Sequence, residues 1–311
     1  MTFLSITSTP SMALVPGHPM IDMTPMTTDI PDGMWHGLQF WLEPSSYAGV
    51  ATPPYAVVGP DAAGNFSGRL IDQSRRLAWL DAAGVRQGIA TYYNPVKNQL
   101  FIPQLSTALA GINGRPALLI DRTQTGLFVP QEFGLWPDWK PGLAQLLTDS
   151  YTLVAIASMK AVAVGGIFST GSADAAHTDA TCGMRLGFSE PGRLLYQHSA
   201  AASDRVIVDC PVADDRPMLF IVTARRTPAG THDGRIRVVT GGTVIDKSFS
   251  FAGAIKWDGL AGPVPHWGSQ GPGAGNATLR KLGALGRTNR FIGDDEFERL
   301  TLELRARRGP F

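Results

Sequence analysis

The residues best suited to chemistry lie near the end of the chain, in the acidic segment Asp294-Asp295-Glu296-Phe297-Glu298. If this segment were a β-strand, its two-residue repeat would place Asp294, Glu296 and Glu298 on one face. Three carboxylates on one face can supply the nucleophile, the general acid and an orienting group of a retaining glycosidase. One hypothesis is therefore a glycoside hydrolase or polysaccharide lyase acting on a surface polysaccharide.

The same acidic segment is open to two other interpretations. Calcium prefers clustered carboxylate and carbonyl oxygens on loops, so Asp294, Asp295 and Glu296 are the predicted metal ligands, and Ca²⁺ is the one cofactor the sequence suggests. The other interpretation is a solvated turn before the last strand. The residues alone do not choose among these three.

A second group of candidates consists of tryptophans in polar segments rich in Gly and Pro. Aromatic faces stack on the apolar faces of sugar rings, and neighbouring polar groups can bind the hydroxyls. We predict the stretch Lys256–Gly275 to be a loop. The alternative role for these rings is to close the end of the domain or a subunit contact. The predicted carbohydrate-binding residues are Trp136, Trp139, Trp257, Asp258, His266 and Trp267.

Several common catalytic motifs are missing from the sequence. The six histidines show no HxH or HExxH spacing, which argues against a zinc site. There is no GxSxG nucleophile motif, and Gly268–Gly275 lacks the Lys-Ser/Thr that a phosphate-binding loop needs. Zinc, serine-hydrolase and nucleotide chemistry are therefore not expected.

Composition favours a protein built from many short strands. The 311 residues are 44% hydrophobic and include 35 Gly and 23 Pro, which suits tight turns better than long helices. The formal net charge of +1 gives no field that would recruit nucleic acid or an anionic membrane. No apolar run is long enough for membrane insertion.

The first 34 residues differ from the rest of the chain. Prolines at positions 10, 16, 19, 25 and 31 prevent regular structure, and no Lys or Arg precedes Arg69. The segment lacks the basic start and apolar core of a secretory signal, so we expect synthesis in the cytoplasm. Its Met, Leu, Ile and Val content predicts an extended arm that docks on other structural subunits, giving a homo-oligomer; the alternative is a disordered tail. The predicted domains are residues 1–34, the arm, and 35–311, one β-sandwich.

The clearest secondary structure is a β-meander within residues 217–251. Leu219–Ala224 is apolar, His232-Asp233-Gly234 is predicted to turn the chain, and Gly241-Gly242 is a two-residue hairpin signal requiring positive φ. The other main predicted strands are Gly37–Leu42, Gly88–Tyr93, Gln99–Ile102, Tyr151–Ser158, Gly166–Ser169, Met184–Ser189, Leu194–His198, Arg205–Val208, Ala277–Leu282 and Glu298–Arg305.

Several of these segments resemble the concanavalin A-like jelly rolls, the lectin and glucanase superfamily that includes laminin-G and pentraxin domains. The resemblance is carried by Gly37–Leu42, Gly111–Leu118, Tyr151–Ser158, Gly165–Gly171, Asp233–Val244 and the closing Phe291–Gly293 with Phe297–Leu302, in the family's order. It implies an antiparallel two-sheet jelly-roll sandwich. It also places the last of these segments in a terminal strand.

The resemblance, the apolar arm and the absence of a complete catalytic motif together favour a non-catalytic function. We expect a glycan-binding or assembly module on the exterior of a multi-subunit particle, such as a phage-like virion, with a cell-surface glycan as its ligand. The alternatives are the hydrolase or lyase described above and a purely structural subunit that binds no sugar.

Overall fold

The chain folds into two antiparallel β-sheets that pack face to face, so the predicted jelly-roll sandwich is confirmed. The computed structural model describes residues 30–43, 57–58, 67–70, 90–94, 99–101, 104–106, 108–119, 127–128, 150–159, 161, 165–171, 184–198, 201–253, 264–267 and 279–311. Residues 1–29 of the predicted arm lie outside this part, as do the predicted sugar-binding residues Trp136, Trp139, Trp257 and Asp258.

The described elements are, in chain order, α1 (Asp32–Trp35), β1 (Leu38–Leu42), β2 (Val57–Val58), β3 (Ser67–Leu70), β4 (Ala90–Asn94), β5 (Gln99–Phe101), β6 (Gln104–Leu105), β7 (Leu118–Leu119), β8 (Leu127–Phe128), β9 (Tyr151–Met159), β10 (Gly165–Gly171), β11 (Arg185–Glu190), β12 (Arg193–Gln197), β13 (Arg205–Asp209), β14 (Pro217–Arg226), β15 (His232–Thr240), β16 (Thr243–Phe251), β17 (Val264–Trp267), β18 (Leu279–Thr288) and α2 (Asp294–Arg308), with a 3₁₀ turn at Ala202–Asp204.

One sheet has eight strands in the order β16-β15-β14-β9-β18-β7-β6, with β1 also paired to β18. The other has ten strands in the order β13-β12-β11-β10-β17-β8-β4-β3-β2, with β5 also paired to β4. Each described pairing is antiparallel, including β14 with β9, where Pro217 opposite Ser158 starts a continuous register to Ala224 opposite Tyr151. Neither described helix is long and apolar enough to span a membrane.

Strand alternation divides the apolar side chains between two clusters. Odd-numbered residues of β9, such as Leu153, point between the sheets with Phe220 and Leu186. Even-numbered residues, such as Val154 and Ile156, point to the outer face of the eight-stranded sheet. There they pack beneath α1, β1 and α2. The eight-stranded sheet is therefore covered on both faces.

The prediction of a strand over Glu298–Arg305 is wrong, because Asp294–Arg308 forms the helix α2. Phe297, Leu300 and Leu304 are buried at helical spacing and pack on the outer face of the eight-stranded sheet. Acidic residues fill the first turn and arginines the last, which complements the helix dipole. The acidic segment is thus the first turn of a helix rather than an alternating strand.

The meander is confirmed as β14, β15 and β16, although its first turn is misplaced in the prediction. His232-Asp233-Gly234 belongs to β15 and pairs with both neighbouring strands. The chain turns instead at 227–231, where the amide of Thr227 donates to the carbonyl of Thr231 (2.8 Å) and Gly230 has a φ of 87°. Gly234 is needed within the strand because a Cβ there would lie 2.2 Å from the ring of Phe249.

Gly241 and Gly242 form the predicted hairpin turn between β15 and β16, with φ values of 56° and 79°. A two-residue turn with both central residues at positive φ matches the right-handed twist of the strands. Replacing both with Val should lower the free energy of unfolding by about 1–3 kcal/mol, measured by urea denaturation. A double variant with the wild-type midpoint and slope would contradict this assignment.

The apolar, strand-like sequence around Trp41 predicts a core position, and the structure confirms it, since the Trp41 side chain is fully buried. Its ring occupies a slot beside Gly286, where a Cβ would come within 2.0 Å of Cε3. Trp35 is partly buried against the outer cluster.

Candidate functional site

A row of polar residues crosses the ten-stranded sheet. Following the register from β13 to β17, Arg205 pairs with Gln197, Gln197 with Arg185, Arg185 with Ser169 and Ser169 with His266. We call these five residues the polar row. Neighbouring strands lie about 4.8 Å apart, so the row extends over about 19 Å.

The adjacent row of the same strands faces the opposite sheet. It consists of Val206, Tyr196, Leu186, Phe168 and Trp267 in matching register. The first four of these side chains are buried in the cluster between the sheets. Because successive residues of a strand point to opposite faces, Arg205, Gln197 and Arg185 lie on the outer face of the ten-stranded sheet, and Ser169 and His266 hold the next register positions of the same row.

Burial distinguishes the polar row from an ordinary solvated strand face. Gln197 is 0% exposed and Arg185 is 1% exposed, whereas Arg205 at the sheet edge is half-buried. The Nη2 of Arg185 donates to the carbonyl of Phe188 at 3.3 Å. An Arg and a Gln that are fully covered on the face away from the main core are an uncommon use of such residues.

His266 is the one predicted sugar-binding residue that falls in the polar row. The prediction of a loop over Lys256–Gly275 is wrong for Val264–Trp267, which is the strand β17 between β10 and β8. A proline such as Pro265 usually disfavours a strand because it has no amide hydrogen to donate. In the described register, β8 pairs with His266 and Trp267, so Pro265 needs no hydrogen bond to β8. Trp267 holds the register position opposite Phe168, and its stacking role stays a prediction.

The predicted metal ligands lie on α2, which packs on the other sheet, and the carboxylates of Asp294 and Glu296 face arginines. Asp294 is 3.3 Å from Nη1 of Arg235, and Glu296 is 2.7 Å from Nη1 of Arg290. The hydrogen bond from Arg290 holds the pKa of the Glu296 carboxyl below its usual range. Within the described ranges, no three His, Cys, Asp or Glu side chains come together as a metal site would require.

The remaining carboxylate of the acidic segment, Glu298, joins α2 to the eight-stranded sheet. Arg237 donates to both of its oxygens, and also reaches Asp246 through Nε (2.8 Å) and Nη2 (2.6 Å). The Arg237 hydrogen bond is the main cause of the lowered pKa of Glu298. The alternation of Asp294, Glu296 and Glu298 proposed for a glycosidase is therefore wrong. Asp294 and Glu298 lie one helical turn apart and both approach Arg235, whereas Glu296 lies on another side of α2 and pairs with Arg290.

A buried aromatic and histidine cluster fills one end of the space between the sheets. The Nε2 of His198 lies 2.9 Å from the hydroxyl of Tyr151 and also contacts the hydroxyl of Tyr196. His232 donates from Nδ1 to the carbonyl of Gly253 at 3.1 Å. Burial, with a smaller contribution from His232, lowers the pKa of His198 to about 3, so this imidazole is neutral and helps to hold the two sheets together.

Sequence reasoning missed Arg185, Gln197, Arg205 and Ser169. Each is a polar residue next to an apolar residue in a predicted strand. Many strands with one face in solvent show the same alternation. What marks these four residues is that antiparallel register brings them into one row, and strand pairing cannot be read from alternation in single strands.

Comparisons with known proteins give weak structural likenesses. No protein-family model matches the chain, and no curated protein does. Solved structures that match include the CBM40 of a Ruminococcus gnavus IT-sialidase bound to α2,3-sialyllactose (16% identity, TM-score 0.39, 53% of this chain and 88% of that chain). A GH54 α-L-arabinofuranosidase also matches, with 14% identity and a TM-score of 0.44 over 78% of this chain and 52% of that chain. A heptameric SAP-like pentraxin from Limulus polyphemus matches with 13% identity and a TM-score of 0.32 over 50% of this chain and 70% of that chain. The assignment of an antiparallel sandwich rests on this chain's own strand pairings.

Proposed function

We propose that this protein is a non-catalytic glycan-binding module whose ligand lies along the polar row. The observation that carries the proposal is the alignment of Arg205, Gln197, Arg185, Ser169 and His266 across five neighbouring strands. Rigid strands hold such groups at fixed spacing, which favours a ligand with many regularly spaced polar groups. An oligosaccharide is such a ligand.

The chemistry of the polar row suits sugar hydroxyls. A hydroxyl both donates and accepts, and the row offers the half-buried guanidinium of Arg205 together with hydroxyl and imidazole groups from Ser169 and His266, while Arg185 and Gln197 are buried between them. A length of about 19 Å accommodates several sugar units.

The two sheets differ in what lies on their outer faces: the eight-stranded sheet carries an apolar cluster, whereas the ten-stranded sheet carries the polar row. Phe297, Leu300 and Leu304 of α2, with Met34 of α1, cover the outer face of the eight-stranded sheet. Binding is favoured over catalysis because the carboxylates of the acidic segment pair with arginines on this covered side.

The aromatic contribution to the proposed site comes from the predicted residues Trp136, Trp139, Trp257 and Trp267, with Asp258 as a hydroxyl partner. The first three tryptophans and Asp258 lie outside the described residues, so their place beside the polar row is part of the proposal. Stacking would supply apolar contact that the polar row lacks.

Replacing Arg205 or His266 by Ala should weaken binding of the glycan selected on a polysaccharide array by about tenfold or more, because each loses hydrogen bonds to it. Arg193→Ala on the same sheet, an exposed arginine paired with Glu190, is the matched control. Trp136→Ala, Trp139→Ala and Trp257→Ala should weaken binding while leaving the melting temperature nearly unchanged. The site would be refuted if Arg205→Ala and His266→Ala both bound the glycan with wild-type affinity. It would also be refuted if Arg193→Ala lowered the affinity as much as they do.

A second proposal concerns residues 1–29 and a multi-subunit particle. Ile30 and Met34, which follow this segment, are fully buried against the outer cluster. The segment is thereby attached at the outer side of the eight-stranded sheet. We propose that residues 1–29 dock on another copy or another subunit, in an assembly such as a virion exterior.

Deleting residues 1–29 should leave the melting temperature unchanged and convert an assembled form to a monomer in sedimentation analysis. The deletion stops before Ile30, because removing Ile30 and Met34 would expose the outer cluster and confuse loss of assembly with loss of folding. An unchanged sedimentation profile would rule out this role.

A further inference from the structure

A pocket of about 780 Å³ lies at the C-terminal end of α2, away from the polar row. Three segments that are distant in sequence meet there: the Asn113 turn, the Gly241-Gly242 hairpin beside Arg216, and the Arg305–Phe311 end of the chain. This volume is within the usual range for small-molecule sites.

The charged side chains that line the pocket are Arg216 and Arg305, and its lining includes no carboxylate side chain. Both arginines are exposed, and neither makes an ion pair with a described residue. The nearby arginines at the end of α2 do form ion pairs: Arg308 pairs with Glu43, and Arg307 lies 2.8 Å from Glu303. Two guanidinium groups that pair with no described carboxylate side chain are thus gathered at one concave surface, beside the main-chain carboxyl group of Phe311.

Hydrogen bonds fix the walls of this pocket. The amide of Gly242 donates to the carbonyl oxygen of Phe311 at 2.7 Å, which joins the hairpin to the end of the chain. The Nδ2 of Asn113 donates to the carbonyl of Arg308 at 2.6 Å. A Cβ at Gly241 would lie 2.7 Å from Nη1 of Arg216, so the glycine leaves the room that this guanidinium occupies.

The donors and acceptors of the pocket indicate the ligand class. The planar fork of an arginine matches the two oxygens of a carboxylate, and two such groups strongly favour an anion. Because Nδ2 of Asn113 is engaged with Arg308, its Oδ1 remains as an acceptor for a ligand hydroxyl. A sugar that carries both a carboxylate and hydroxyls satisfies all three side chains.

We propose that this pocket binds an acidic sugar, with its carboxylate between Arg216 and Arg305 and a hydroxyl at Asn113. The choice of a saccharide rests on the proposed glycan-binding function, whereas the site itself is separate from the polar row. A charged glycan would then contact the protein at two places on different sheets.

The test is a calorimetric titration of the full chain with D-glucuronate, D-glucose and inorganic sulfate. Glucuronate should bind, and Arg216→Gln or Arg305→Gln should weaken it at least tenfold. Arg299→Gln, an exposed arginine of the same helix that does not line the pocket, should change affinity less than twofold. Asn113→Ala should weaken glucuronate but not sulfate.

Three results would overturn the proposal: no glucuronate binding, equal losses with Arg299→Gln, or sulfate and glucose each binding as tightly as glucuronate. Array binding of a neutral glycan should be the same in wild type and Arg216→Gln. If the polar-row variants lose neutral-glycan binding and Arg216→Gln does not, the proposed function is supported whatever the result at this pocket.

Discussion

Replacing Glu43 by Gln is expected to lower the free energy of unfolding by about 3–5 kcal/mol, because it leaves a buried guanidinium without its charge partner. Glu43 is 0% exposed and Arg308 is 4% exposed, and Nη1 of Arg308 donates to Oε1 of Glu43. Trp41 donates to the other carboxylate oxygen at 3.3 Å. The pair connects the end of β1 to the end of α2.

Urea denaturation of Glu43→Gln beside Glu190→Gln provides the measurement. Glu190 pairs with Arg193 at the surface, so its replacement should cost less than about 1 kcal/mol. Replacing both buried partners, as Glu43→Leu with Arg308→Met, should recover much of the loss, since no unpaired charge remains. A Glu43→Gln variant as stable as Glu190→Gln would show that the pair does not hold α2 in place.

Stability is expected to fall as the pH drops below 6.5, because His198 is neutral in the folded chain. Burial lowers its pKa from 6.5 to about 3, so between these values the unfolded chain binds one more proton than the folded chain. The free energy of unfolding should decrease by about 1.7 kcal/mol from pH 6.5 to 5, and the slope approaches about 1.4 kcal/mol per pH unit at the lower end of this range. Asp and Glu, with ordinary pKa values near 4, contribute little in that window.

His198→Gln isolates this contribution, because the amide oxygen can still accept from Tyr151 or Tyr196 but does not titrate. Its unfolding free energy should vary less between pH 7 and 5 than that of the wild type. His36→Gln, at an exposed histidine, should keep the wild-type slope. Equal slopes for His198→Gln and the wild type would show that another group causes the acid sensitivity.

The meander was predictable because its signals are local. Gly241-Gly242 demands a primed turn, and alternating apolar residues on either side fix the strands. The turn before β15 was misplaced because Asp233-Gly234 resembles a turn dipeptide. Gly234 is there for a tertiary reason, namely to accommodate the ring of Phe249 on the next strand.

Helix α2 was misread, although its sequence carries a helical signal. Phe297, Leu300 and Leu304 recur at helical spacing, with carboxylates before them and arginines after them. The prediction of a terminal strand followed the resemblance to jelly rolls and did not use this periodicity. The consequence was large, because the helix moves Glu296 away from Asp294 and Glu298, whereas a strand would have aligned all three.

The candidate site was least predictable, since it depends on long-range register. Arg205 and His266 are 61 positions apart in the sequence and are connected only through Gln197, Arg185 and Ser169 on three intervening strands. A one-residue slip in any of these pairings would move its residue to the core face. Aromatic residues in loops were visible in the sequence, whereas a row assembled from five strands was not.

The most direct test of glycan binding at the polar row is chemical-shift mapping of the deuterated protein with a neutral oligosaccharide chosen from the array. We expect saturable shifts of the amides of Arg185, Gln197, Arg205 and His266, with those of β14–β16 and α2 unchanged. Shifts confined to the α2 side of the molecule, or no saturable shifts with any neutral oligosaccharide, would contradict the proposed function.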